Sequence, residues 1–283
     1  MYKARHAWLF LLPTGILLTT FTLIPALAAL GLSFTNYNVF QPIEWVGLDN
    51  FTRAFKDEEF WNALGNTFYY WILVTPALVV LPVFLAILVN QKLIGIKLYR
   101  LTYYFPALVS VVVTAILWNW LFASDGIFNY VLSLVGINPI DWLTSTKFVM
   151  VSLAIVTIWQ GLGYYMLFYL AGLQSVPTDL YEAAELDGAN FWQKHFHITF
   201  PMLKPIIFFT AVISTMSAFK EFTLMLTMTD GGPIGASTTV VYLVFEKAFK
   251  QLEMGYASAI SFILFIIILI LTLLNKQSLD KAS

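Results

Sequence analysis

Residues 182–201 read EAAELDGANFWQKHFHITFP and separate two long apolar runs. Together with Asp179 just ahead of it, the segment gathers Glu182, Glu185 and Asp187 in a 283-residue chain that is 59% hydrophobic and only 11% charged. Aromatic residues make up 17% of the chain, and the mean hydropathy is +0.78 per residue. A single soluble core cannot hide that much apolar surface. The chain therefore belongs in a bilayer, and the acidic segment is where it comes out into water.

Local chemistry predicts two short helices in this segment. Pro177-Thr178-Asp179 followed by Glu182 has the spacing of a helix start, with Asp179 accepting a backbone N–H and Glu182 reaching back as in a capping box. Ala183 and Ala184 keep one side of that helix low, so another backbone can approach closely. Gly188 supplies a position tolerant of positive φ at which the helix stops. Phe191, Trp192, His195, Phe196 and Thr199 then repeat at helical spacing, giving a second helix that runs to Pro201 and Pro205.

Working outward, apolar runs near the roughly 20 residues needed to cross the hydrocarbon core fall at 7–32, 64–89, 101–122, 148–173, 205–228 and 257–274. The expected architecture is an all-α integral membrane protein, one domain over 1–283, with six transmembrane helices and a loop over 177–204 between the fourth and fifth. Lys3, Arg5 and Ala26-Leu27-Ala28 imitate a signal peptide. The apolar run between them exceeds the roughly 7–15 residues of such a segment, however, and it reads as a span.

Basic residues set the orientation. Lys3, Arg5, Lys92, Lys97, Arg100, Lys194, Lys204, Lys276 and Lys281 fall on one side; Arg53, Lys56, Lys147, Lys247 and Lys250 fall on the other. The first side is read as cytoplasmic, which places both termini and the acidic segment there, in a multi-pass cell-membrane protein. An ordinary loop on that side would favour Lys and Arg, whereas this one is acidic with a low alanine face. A docking site for a soluble partner accounts for both features. Among the outward connections, Asp230-Gly231-Gly232-Pro233 marks a sharp turn, and Trp45, Trp61 and Trp142 are expected as interfacial anchors.

Several classes of function are disfavoured. A net charge of -1 leaves no basic stripe for nucleic acid. The chain has no cysteine, hence no disulfide, thiolate metal site or cysteine nucleophile. No phosphate-cradling GxxxxGK[ST], G-x-S-x-G or HExxH occurs, and His195 and His197, two residues apart, make a poor metal pair. No catalytic residue, metal or cofactor is expected in this chain. A solute path should nevertheless leave polar groups on the spans, where they are costly in lipid. In the fifth run, Ser214, Ser217, Ala218 and Glu221 follow i, i+3, i+4, i+7; in the fourth, Thr157, Gln160, Gly161 and Tyr164 do the same. These stripes, with Asn119 in the third run, are the candidate solute path. The competing reading is that they hold helices together.

The segment is similar to the EAA loop of permease subunits from binding-protein-dependent ABC importers. That loop reads Glu-Ala-Ala, three residues, Gly, nine residues, Ile, one residue, an apolar residue, Pro, and Glu182, Ala183, Ala184, Gly188, Ile198 and Pro201 match it; Phe200 stands where leucine is usual. "LTMTDGGP" from Leu226, "STTVVYLVFEKAF" from Ser237 and "MGYASAISFILFIIIL" from Met254 resemble the carbohydrate-importing branch. The resemblance implies that a second, homologous permease subunit completes the pathway and that two partner ATPase subunits at the cytoplasmic face bind ATP and Mg. It further implies that an extracytoplasmic solute-binding protein delivers a sugar or related polyol. Asp179, Glu182, Ala183, Ala184, Glu185, Asp187 and Gly188 would then form the coupling helix that meets the ATPase. An ion-coupled secondary carrier of small solutes and a membrane-embedded enzyme are the alternatives. The first should show internal repeats and intramembrane carboxylates, the second a convergent set of catalytic groups.

Overall fold

A computed structural model describes residues 4–91 and 94–280. Of the basic residues used for orientation, Lys3, Lys92 and Lys281 lie outside the described residues. The described chain is helical. The elements are α1 (Ala4–Leu18), α2 (Ile24–Leu32), α3 (Asp49–Lys56), α4 (Glu58–Val89), α5 (Ile96–Leu108), α6 (Val111–Leu121), α7 (Ile127–Leu134), α8 (Val149–Ser175), α9 (Thr178–Leu186), α10 (Phe191–Lys194), α11 (Phe200–Phe219), α12 (Val240–Phe245) and α13 (Met254–Asp280). π-helical turns occupy Thr19–Leu23, His195–Thr199, Met225–Thr229 and Glu246–Lys250.

Stretches long and apolar enough to cross a membrane run over Phe10–Leu32, Glu58–Val89, Val149–Ser175, Phe191–Phe219 and Met254–Leu274. The third expected run, 101–122, is not a straight helix: α5 and α6 meet at 97°. Val109 and Ser110 between them are extended, with ψ of 138° and 136°. The fifth run is also displaced. Its helix continues through Pro201 and Pro205 instead of beginning after them, and it stops at Phe219. Pro201 follows directly on the π turn His195–Thr199, with Thr199 and Phe200 still helical, so its missing N–H falls inside one continuous stretch at a place where the hydrogen-bond ladder already changes register.

The chain divides into two compact units, Met1–Trp61 with Leu243–Ile267, and Asn62–Tyr242 with Ile268–Ser283. In the first, the buried Asn50 amide donates to Ser33 O and Thr35 O at 3.0 and 2.8 Å. Charged side chains then tie α3 and the start of α4 to the returning chain. Arg53 pairs with Glu253 at 2.7 Å and Lys247 with Glu59 at 2.6 Å, and the Tyr256 hydroxyl donates to Asp57. Trp45 and Trp61 are exposed, Trp45 stacked on Phe34 and Trp61 donating to Phe55 O.

In the second unit, Tyr70, Val74 and Leu78 of α4 pack with Leu153 and Val156 of α8 and with Trp118 of α6. A further cluster joins Val83 and Ala86 to Met166, Tyr169 and Leu203. Gly163 lets α8 and α5 touch backbone to backbone: a Cβ there would lie 2.0 Å from Tyr103 O. Trp142 departs from the expected anchor role. It stacks on Phe122 and donates through Nε1 to Asn129 at 3.1 Å, closing the connection after α6. The turn at Asp230 forms as its residues predict, with φ of 47° at Asp230 and 80° at Gly231.

Candidate functional site

The acidic segment folds as a helix, a glycine break and a second helix. Gly188 has φ +77°, and the end of α9 closes with Ala189 N donating to Ala184 O at 2.9 Å and Gly188 N to Glu185 O at 3.0 Å. This pair of bonds satisfies carbonyls that would otherwise be orphaned at a helix end.

The capping box, however, lies elsewhere than predicted. Pro177 is the N-cap of α9 and no side chain caps it. Asp179 is therefore two positions past the cap, too deep to bond back, and it sits in the first turn, where negative charge meets the positive end of the helix. The box forms at Asn190 and Gln193, whose side chains exchange bonds of 2.9 and 2.8 Å with each other's backbone N–H. The Asn-x-x-Gln spacing after Gly188 carried that signal in the sequence.

None of the residues of α9 is buried. Asp179, Glu182, Ala183 and Asp187 are exposed, and Ala184 is half-buried. Glu185 instead pairs with Lys194 at 2.6 Å. Ala184, Asp187 and Gly188 border a hollow of about 300 Å³ that Gln193 and His197 close from the other helix. Leu186, which sequence reasoning passed over, is 90% exposed at the end of α9. The two histidines go separate ways, His195 to Thr199 and His197 to Gln193 O. Among the described residues no cluster of His, Asp or Glu is placed to hold a metal.

The polar stripes of the spans are only partly brought together. Gln160 donates to Val109 O at 2.9 Å, filling the carbonyl left open at the bend between α5 and α6. Thr157 bonds the Tyr70 hydroxyl, and Gly161 lies against Leu78. Tyr164, by contrast, is 43% exposed. Ser214 is fully buried and bonds back to Ala211 O at 3.2 Å. Ser217 is exposed on the same helix and faces Tyr165 of α8.

Glu221 does not continue the α11 face, because the helix has already ended. Its Oε1 accepts from the N–H groups of Phe222 and Leu224, both at 3.1 Å. Asn119 Oδ1, together with Trp118 Nε1 and the Thr114 hydroxyl on the same helix, is buried without a hydrogen-bond partner among the described residues. Tyr165, Trp118 and Thr114 were not singled out from sequence, since lone polar groups in apolar runs carry no periodicity.

The family model described as "Binding-protein-dependent transport system inner membrane component" matches residues 53–279. The probable ABC transporter permease protein YesP of Bacillus subtilis (strain 168) is 38% identical over 270 residues, covering 94% of this chain and 87% of its own. The lactose transport system permease protein LacF of Rhizobium radiobacter is 33% identical over 281 residues, covering 97% and 94%. Among solved structures, a chain of a bacterial ABC transporter involved in the import of the acidic polysaccharide alginate superposes with a TM-score of 0.86 at 25% identity, covering 98% of this chain and 96% of that one.

Proposed function

The chain belongs to the family of inner membrane components of binding-protein-dependent transport systems, and from that premise we propose that it is the permease subunit of an ATP-driven sugar importer. Sugar as the solute class is supported by relatives named for lactose transport and alginate import. The comparisons give no support to an ion-coupled carrier.

In this reading α5 and α6 together make one crossing, the protein has six crossings, and both termini face the cytoplasm. A second permease subunit completes the path, and an extracytoplasmic binding protein delivers the solute. Two ATPase subunits bind ATP and Mg, and α9 docks on them. The solute path draws on Asn119, Tyr164 and Ser217, with Thr157, Gln160, Gly161, Ser214 and Glu221 shaping its walls. The observation that carries the docking role is the exposure of α9: a helix with acidic side chains, Ala183 and Leu186 in the open, and none of its residues buried, is built to be covered.

The test is copurification with the ATPase. Glu182→Lys and Gly188→Pro, both outside the spans, should abolish or strongly weaken association with the ATPase subunits while the chain still inserts in the membrane. Association and solute-stimulated ATP hydrolysis at the parent level in both variants would refute the docking role. Stimulation by binding protein loaded from a panel of mono-, di- and oligosaccharides identifies the solute.

A further inference from the structure

The connection between α9 and the helix that follows it includes a buried hydroxyl held from two sides. No residue of α9 is buried, and both of its ends are joints: Pro177 without a side-chain cap on one side, and Gly188 at φ +77° on the other. What fixes its attitude is therefore a small set of side-chain ties. Glu185 with Lys194 is one, but the Glu185 side chain is 63% exposed, and an ion pair so open to water is weak. A second tie, among the described residues, is sequestered. The Tyr181 hydroxyl lies 2.9 Å from Thr199 Oγ1, and His195 Nδ1 lies 2.8 Å from the same oxygen.

Thr199 is fully buried and stands at the junction of the π turn and α11. One hydroxyl offers one donor and two acceptor sites, which suits two partners at once. His195 is itself braced, its ring 4.3 Å from that of Phe191. Beside this knot lies a cavity of about 290 Å³ bordered by Asn90, Gln91, Tyr181 and His195, space into which α9 can tip if the knot is cut.

We propose that Thr199 is a positioning residue that, with Tyr181 and His195, clasps α9 to the start of span five, so that a push on α9 moves the span as one body instead of bending the joint. The proposal rests on α9 being the ATPase contact.

The test uses the assembled complex with its ATPase subunits. Because the chain has no cysteine, Thr178→Cys on α9 and Met202→Cys on α11 can carry a pair of spin labels. In the parent, the distance distribution between them should be narrow and the same in the resting complex and in the complex trapped with Mg-ATP and vanadate. Thr199→Val should lose that narrow distribution in the trapped complex, Thr199→Ser should restore it, and Tyr181→Phe, which removes only a hydroxyl, should repeat the loss. If Thr199→Val fails to assemble, Tyr181→Phe decides.

Narrow distributions in the hydroxyl-deletion variants that assemble would overturn the clasp, even with lower yield or melting temperature, as would a shift of the parent's distance on trapping. The premise is read separately, by cross-linking Glu182→Cys to the ATPase in the otherwise unaltered chain. A cross-link with unbroadened distances refutes the clasp alone; absence of the cross-link removes the ATPase contact and the proposal with it.

Discussion

At the scale of single residues, Glu221 shows how a polar group in an apolar run acquires its role. Its Oε1 holds the N–H groups of Phe222 and Leu224, directly after α11 ends at Phe219. Removing that acceptor leaves two backbone donors short of a partner in a half-buried place, at about 1–3 kcal/mol for such a loss. Glu221→Ala should therefore lower the melting temperature of the purified complex, and Glu221→Gln, which keeps an acceptor oxygen, should recover most of it. The uptake rate per assembled complex separates the roles. If Glu221 only caps the turn, both variants transport in proportion to the protein recovered; if its second oxygen meets solute, Glu221→Gln alters uptake while stability stays near the parent level. Gln160 is the companion case: its amide spans 51 residues of sequence to reach Val109 O, a partner that no local spacing announces.

At the scale of elements, the crossing of α5 and α8 and the bend between α5 and α6 are one construction. Gly163 admits the α5 backbone, and three residues earlier on α8 Gln160 takes up the carbonyl that the bend exposes. Two glycines on α8 should therefore respond differently to alanine. At Gly163 the new methyl would stand 2.0 Å from Tyr103 O and 2.7 Å from Tyr104 Cα, both backbone atoms. At Gly161 it would meet Leu78 Cδ2 at 2.9 Å, the end of a flexible side chain. Alanine in a helix gains about 1 kcal/mol over glycine, while forced overpacking costs about 1–3 kcal/mol or more. The backbone clash wins at Gly163, and the balance is near even at Gly161. Gly163→Ala should cut the yield and melting temperature of the membrane-extracted protein, and Gly161→Ala should change them little. Equal behaviour of the two would mean that α5 and α8 do not cross at Gly163.

At the scale of the whole molecule, the excess of Lys and Arg on one set of connections predicts sidedness. Ser145→Cys and Ser283→Cys, made singly in this cysteine-free chain, should react oppositely with an impermeant thiol reagent in intact cells, the first labelled and the second protected. Labelling of the C-terminal variant alone, or of both, would overturn the arrangement. The apolar runs were legible because crossing hydrocarbon is a demand summed residue by residue along the chain. The stop at Gly188 was legible because positive φ is a property of one residue and its neighbours, and the match of Glu182, Ala183, Ala184 and Gly188 to a known loop pointed to the family that residues 53–279 then matched. The bend at Val109, the early end of α11, the knot at Thr199 and the partner of Glu221 were not legible. The bend and the knot are fixed by groups that meet only after the chain has folded, Gln160 with Val109 and Tyr181 with Thr199, whereas Glu221 bonds the backbone one and three residues on, a local contact that shows only once α11 is known to stop at Phe219. The sequence by itself determined which segments leave water and where the exposed helix stops, since those are local free energies. Tertiary structure decided which polar groups are used up as struts and which stay open, because a hydrogen bond is satisfied by whatever partner the packing brings within reach.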